Sequence, residues 1–429
     1  MKICQVTPGT GNFYCGGCLR DSALARALRA LDHEVTVVPL YLPLVLEEHS
    51  DAEDAPIFLG GINVYLQQQY ELFHHTPRWL DRLADSRWLL TWAAHWAGMT
   101  RASDLGEMTL SMLRGEAGRQ EKEIHRLVDW LKSEPRPDVV LLSNCLLLGL
   151  APALRRELQV PLLCTLQGED GFLDALPSPY QEEAWKALSR LANEVNGLVA
   201  VSRYYAESMT RRLRLDADRV FVVENGILLD DYPLPERKSA EPALGYLARL
   251  CECKGLHRLV DAFIVLKQNP RYARLRLHVA GAMTSADQPY VDQLKQRLAG
   301  ASLQDYVEWH PNLSRAQKIE FLRALSVLSV PAHYGESFGL YVIEALAAGT
   351  PVVQPNHGGF PEILQRTGGG LLYDPDRTED YHAALQRLLD DPAAAQAMAR
   401  QGRDVVLQHY TAERMAADFI AVCRRVCSK

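Results

Sequence analysis

Two carboxylates, Glu336 and Glu344, lie eight residues apart in the stretch ESFGLYVIEALAAGTPVV. LSVLSVPA, just before, reads as a strand, and AHYGESFG is the loop that leaves it. A helix starting near Gly339 presents unpaired N–H groups and the positive end of its dipole, which suits a phosphate. Gly339 lets that backbone approach a ligand closely. Glu344 falls one turn inside the helix, on the side of Leu340, where a carboxylate can grip a pair of hydroxyls such as a ribose diol. Glu336 sits at the loop tip, beside the outer part of whatever binds. LARLCECKG, in the loop after an earlier strand, adds Arg249 and Lys254. Two cations there can neutralise a diphosphate and stabilise it as a leaving group. The chemistry that suits all of these groups is recognition of a nucleoside diphosphate carrying a polar group. Each residue alone has a plainer explanation: chance spacing, a dipole-facing acid, a solvated surface pair. The strand before, the glycine at the helix start and the AAGTPVV run into the next strand favour the site.

These groups need a frame that puts loops at one edge of a sheet. KICQVTP, EVTVVPL, PDVVLLSN, VPLLCTLQGED, GLVAVSRYYAESM and RVFVVENGI are apolar strand candidates that alternate with helical spacing, as in LRDSALARALRAL. LGYLARL, RLRLHVAGA, YVEWHP, LSVLSVPA and PVVQP repeat the alternation. Apolar runs separated by helices imply parallel sheets covered on both faces. The stretch 233–243, rich in Pro and charge, reads as a linker. The predicted fold is α/β, with two Rossmann-like doubly wound domains. The first spans 1–236, with a helical insertion at about 41–131, and the second spans 237–408. An amphipathic helix, 409–429, is expected to pack back on the first domain.

Length and composition agree. A chain of 429 residues is too long for one ordinary core. It is 48% hydrophobic and 23% charged, which excludes a disordered chain. A net charge of −7 argues against a dedicated nucleic-acid binder. Nine scattered cysteines fit reduced thiols. MKICQVTPGTG carries no apolar leader, and no apolar run is long enough to span a bilayer, so a cytoplasmic location is expected. In the insertion, Trp88, Trp92, His95, Trp96 and Met99 share one helical face. A helical hairpin packed on the first domain is the favoured reading. An acceptor surface or a peripheral membrane contact is the sharper one, although the basic flank of a membrane helix is missing.

The motifs GYLARLCECKGLHRLVDAF, HVAGA, YVEWHPNLS and GESFGLYVIEALAAGTPVVQPNHGGFPEIL resemble, in order and spacing, the second domain of retaining glycosyltransferases of family 4. GTGNFYCGGCLRDSALARALRALDHEVTVV is similar to that family's glycine loop and first helix, and GGINVYLQQQ is more weakly similar to glycogen and starch synthases. The resemblance implies the GT-B fold, two Rossmann-like domains about a cleft, and transfer of a sugar from a nucleotide-sugar donor to a hydroxyl acceptor with anomeric retention. It implies that Arg249 and Lys254 hold the donor diphosphate and that Glu336 lies by the transferred sugar. The backbone at Phe338, Gly339 and Leu340 would contact sugar and phosphate. Glu344 would hold the ribose, and Gly16 and Gly17 would face the diphosphate. It implies neither a cofactor nor a metal. Where the family often has His-Gly after a VPLLCTL-type strand, this chain has Gln167, which can hydrogen-bond a hydroxyl but carries no proton. Glu169 and Asp170 follow as candidates to position the acceptor, with a capped turn around Gly168 and Gly171 as the competing reading.

Other motifs in the sequence have plainer explanations. Cys15 and Cys18 form a CxxC at a helix start, and CEC and CRRVC could add zinc ligands, but no further His or Cys completes the set. DPD at 374–376 is explained as a turn and helix cap. GTG near residue 10 lacks the full dinucleotide fingerprint. A sugar-nucleotide epimerase or hydrolase, or a non-catalytic sugar-nucleotide binder, are the functional alternatives.

Overall fold

The apolar runs pair into two parallel sheets of six strands each in the computed structural model, which describes residues 1–8, 16–40, 102–230, 232 and 241–428. The first sheet holds β1 (Lys2–Thr7), β2 (Glu34–Pro39), β3 (Val139–Leu142), β4 (Leu162–Leu166), β5 (Gly197–Ala200) and β6 (Val220–Val222), in the order 2-1-3-4-5-6. The second holds β7 (Ala243–Leu247), β8 (Arg276–Gly281), β9 (Val307–Pro311), β10 (Val327–Ser329), β11 (Val352–Pro355) and β12 (Gly370–Tyr373), in the order 12-11-10-7-8-9. Strands β3, β4, β5, β7, β10 and β11 are buried along their length, as strands with helices on both faces must be, while β8, β9 and β12 keep partial exposure. A Rossmann-like α/β frame is therefore present in each half.

In the second sheet, successive strands run outward one way from β7 through β8 to β9, and the other way from β10 to β12. The order reverses between β7 and β10. Open α/β sheets bind their ligands at such a reversal, beyond the carboxyl ends of the two strands. The loops that leave β7 and β10 carry Arg249, Lys254 and Glu336.

The chain divides into two compact units, Met1–Glu224 with Met415–Lys429, and Asn225–Arg414. The changeover precedes the Pro-rich stretch and follows residue 408. Backbone pairing explains this. Ile227 N–H donates to Tyr410 O (2.9 Å) and Ala412 N–H to Ile227 O (3.0 Å), so the segment after β6 joins the second unit. Gly226 is required there, because a Cβ would meet Thr411 O at 2.1 Å. Beyond Met415, the helix Ala412–Cys427 is part of the first unit: Phe419 is buried and the Arg425 guanidinium lies 5.1 Å over Phe221. Helices Ala102–Leu113 and Glu121–Ser133 occupy the end of the range read as an insertion. The Trp88–Met99 face, Cys15 and the GTG loop lie outside the described residues.

One helix shows how sequence, packing and site connect. Leu256, Leu259, Val260, Phe263 and Leu266 recur at helical spacing, and all are buried against β7 and β8 residues such as Leu244, Tyr246 and Val279. Burying each such side chain contributes about 1.5–3 kcal/mol. The helix starts at Gly255, which has φ 76°. A Cβ at Gly255 would meet Pro331 O at 1.9 Å, so only glycine lets the loop carrying Lys254 cross the chain leaving β10. Gly255→Ala is accordingly expected to cost about 2–4 kcal/mol, read as a lower midpoint in urea unfolding. Gly300→Ala is the control, because a Cβ there meets nothing within 4 Å. It is expected to be neutral or stabilising by up to about 1 kcal/mol.

Candidate active site

The loop after β7 places two cations differently. Lys254 Nζ lies 2.5 Å from Glu336 Oε2, with the side chains 17% and 12% exposed. Arg249 is more open, and its guanidinium donates to Asp287 Oδ1 at 3.2 Å. Asp287 is buried, and its other oxygen accepts from the N–H and hydroxyl of Thr284 in a capping box. Burial disfavours the Lys254 ammonium, but the Glu336 carboxylate and neighbouring Tyr334 outweigh it and raise the pKa. The ammonium also lies 5.0 Å over the Tyr334 ring.

Glu336 is gripped from several sides. Tyr341 Oη donates to Glu336 Oε2 at 3.1 Å. Burial first, then the nearby carboxylate, pushes the Tyr341 phenol far up, so it stays a donor. Gly359 N–H donates to Glu336 O at 2.8 Å. Gly358, at φ 63°, passes so close that a Cβ would meet Glu336 N at 2.6 Å. Gly339, at φ 96°, turns the chain into the helix Leu340–Ala347, while Phe338 is buried and Leu340 half-buried. The first N–H groups of that helix have no carbonyl partner within it.

Glu344 lies on the same helix, and its Oε1 is 2.5 Å from Lys318 Nζ, with the two side chains 12% and 5% exposed. Lys318 comes from the helix Arg315–Ala324, which Ser314 and Gln317 start with a capping box. The second unit thus brings Arg249, Lys254, Glu336, Phe338, Gly339, Leu340 and Glu344 to the β7–β10 edge or the helix that leaves it. Sequence reasoning missed Lys318, Tyr341 and the glycine pair Gly358–Gly359. The signals available were the capping box before Lys318 and the HGGF stretch.

The remaining candidates belong to the first unit. Gly16 and Gly17 open the helix Gly16–Ala30, with Gly16 exposed. Glu169 is buried, and its carboxylate accepts from the N–H groups of Cys145 (3.0 Å), Gln167 (2.8 Å) and Gly168 (2.9 Å) and from Tyr205 Oη (3.2 Å). That is the geometry of a capped turn at Gly168, which has φ 113°. Burial raises the Glu169 pKa against those donors. Asp170 is half-buried and accepts from Tyr205 Oη at 3.1 Å. Burial raises its pKa too, with the Tyr205 bond opposing. Gln167 donates through Nε2 to Asp21 Oδ1 (3.1 Å) and to Ser143 O. Asp21 pairs with the fully buried Arg20 at 3.0 Å. Gln167 therefore closes a buried polar network across β4, the β3 loop and the first helix. The cysteines of the CEC run lie with Sγ atoms 2.9 Å apart, and Cys18 is buried.

Comparison with known proteins agrees with this frame. Residues 109–231 match the model of Glycosyltransferase Family 4, and residues 235–405 match that of Glycosyl transferases group 1. Glycogen synthase of Mycobacterium tuberculosis is 28% identical over 331 residues, which cover 75% of this chain and 73% of the relative. D-inositol 3-phosphate glycosyltransferase of Kineococcus radiotolerans is 32% identical over 248 residues, 52% of this chain and 57% of the relative. Among solved structures, sucrose-phosphate synthase from Thermosynechococcus elongatus superposes with a TM-score of 0.73 at 19% identity over all of both chains. HepE of Anabaena in complex with UDP-glucose gives 0.67 at 16% identity, over 99% of this chain and 100% of that one. At such identities the likeness is one of fold. Two family models matched in sequence order, and two Rossmann-like sheets, place the chain among the GT-B glycosyltransferases of the family 4 type, enzymes that draw on a nucleotide-sugar donor.

Proposed function

We propose that this chain transfers a sugar from a nucleoside-diphosphate sugar to a hydroxyl acceptor with retention at the anomeric carbon. The observation that carries the reading is the pair of lysine–carboxylate contacts, Lys254–Glu336 and Lys318–Glu344, one on the β7–β10 edge and one a helical turn beyond. In this reading the donor diphosphate takes over Lys254, joined by Arg249 and by the N–H groups after Gly339. Glu336, held by Tyr341, then turns its carboxylate to a hydroxyl of the sugar. Glu344, positioned by Lys318, grips the ribose diol.

The chemistry follows from those placements. Two cations and a helix N-terminus stabilise the charge that grows on the departing diphosphate. The acceptor hydroxyl attacks from the face the diphosphate leaves, and a diphosphate oxygen takes its proton. No enzyme carboxylate forms a bond to the sugar. Positive charge comes from side chains and backbone, so no divalent ion is needed for transfer. HepE of Anabaena is solved in complex with UDP and with UDP-glucose, which makes a uridine nucleotide the first donor to test.

Four substitutions and the configuration of the product test this reading. Lys254→Ala should lower kcat/KM by about 10²–10³-fold, as loss of one preorganised charge contact does. It should also abolish the thermal stabilisation that one of UDP, GDP or ADP gives the wild type. Glu336→Gln should lower kcat by a similar factor while that stabilisation persists. A fully active Glu336→Gln enzyme would remove Glu336 from the chemistry. A 2′-deoxy nucleotide should bind the wild type about tenfold more weakly than the ribo form, with the difference gone in Glu344→Ala. Lys318→Met should raise the donor KM and cost about 2–4 kcal/mol of stability, since it strands a shielded carboxylate. The configuration of the first-formed product, read by NMR, decides retention. Nucleotide release that is indifferent to any acceptor would instead indicate a hydrolase or epimerase.

A further inference from the structure

Three side chains with metal-binding chemistry converge on the outer strand pair of the second sheet, away from the β7–β10 edge. His278 on β8 and Glu308 on β9 are direct cross-strand partners. His310 lies two residues beyond Glu308 and so shares its face. Glu308 Oε2 is 3.5 Å from His278 Nδ1 and 3.5 Å from His310 Nε2. One ligand atom from each of the three residues falls within 4.8 Å of the others. Bonds of about 2.0–2.2 Å in a tetrahedron set neighbouring ligand atoms roughly 3.3–3.6 Å apart, which the two distances from Glu308 match.

The surroundings hold the three groups in place. Phe321 is buried and packs edge-on against both rings, with centroids 6.4 Å from His278 and 5.7 Å from His310. Arg276 donates to Glu308 Oε1 at 3.0 Å, the oxygen that does not meet the imidazoles. Carboxylates that ligate metals are commonly oriented by such an outer partner. All three candidate ligands keep partial exposure, which leaves a route for an ion and a water. A divalent ion uses both imidazoles in their neutral form and keeps the carboxylate charged.

We propose that His278, Glu308 and His310 form a three-ligand site for a divalent transition ion, zinc in type, that ties edge strand β9 to β8. Two nitrogen ligands and one oxygen select zinc, cobalt or nickel over magnesium and calcium. The fourth position is left to water. None of the three is one of the donor groups, and the role assigned to the site is to brace the sheet edge.

The test uses the full chain carrying Cys251→Ser, Cys253→Ser and Cys427→Ser, which removes exposed or half-exposed thiols that also bind zinc. Cobalt titration should saturate at one equivalent, with the visible spectrum of nitrogen and oxygen ligation and no thiolate charge-transfer band. Zinc should raise the Tm. His310→Gln and His278→Gln should each weaken binding by about tenfold or more and remove the Tm rise. Their circular dichroism and their Tm in EDTA should match the parent, which separates lost ligation from misfolding. Absence of the cobalt spectrum, or a zinc-dependent Tm rise that survives both histidine substitutions, would overturn the proposal. EDTA that lowers Tm while transfer continues would support it.

Discussion

The second unit is organised around one electrostatic constraint: two opposite charges, Lys254 and Glu336, meet 2.5 Å apart where the strand order reverses. Each side chain is largely shielded from water, and a shielded charge left alone is costly. The backbone around them is bent to make the meeting possible. Gly255 lets the lysine loop cross Pro331, and Gly358 lies against the backbone of Glu336. Tyr341 occupies a remaining lone pair of the carboxylate. The pair keeps Lys254 charged and holds both side chains in place.

Under the proposed function a diphosphate would offer Lys254 a better anion, bringing more charge than one carboxylate to Lys254 and the helix start at Gly339. Exchange of partners would then couple donor binding to the release of Glu336 toward the sugar. Lys318 and Glu344 repeat the lysine–carboxylate device, with an even more buried lysine. Charges paired within the protein beforehand need little reorganisation when charge develops on the leaving group, which is how preorganised sites lower barriers.

The first unit is built on a different principle. Its polar groups satisfy one another: Glu169 spends its lone pairs on three backbone N–H groups and Tyr205, and Gln167 is tied to Asp21 and Ser143. Buried networks of this kind rigidify the segments that they join. Gln167 and Glu169 thereby shape the edge of the first sheet, while Asp170 is half-buried and held by Tyr205.

Much of this was legible in the sequence, for local reasons. Continuous apolar runs mark strands buried on both faces. A glycine between a strand loop and an apolar helical run marks a phosphate-ready helix start, so Glu336, Gly339 and Glu344 could be picked out, as could Arg249 and Lys254. What could not be read are the pairings. Lys254 and Glu336 are 82 residues apart, and Lys318 and Glu344 are 26 apart. His278 meets Glu308 only through strand register. The changeover between units was equally hidden, because it depends on Ile227 pairing with Tyr410 rather than on the composition of the linker. Periodicity and turn chemistry act over a few residues and are written locally. Charge neutralisation and strand register act through space, so only the folded chain decides which lysine meets which carboxylate.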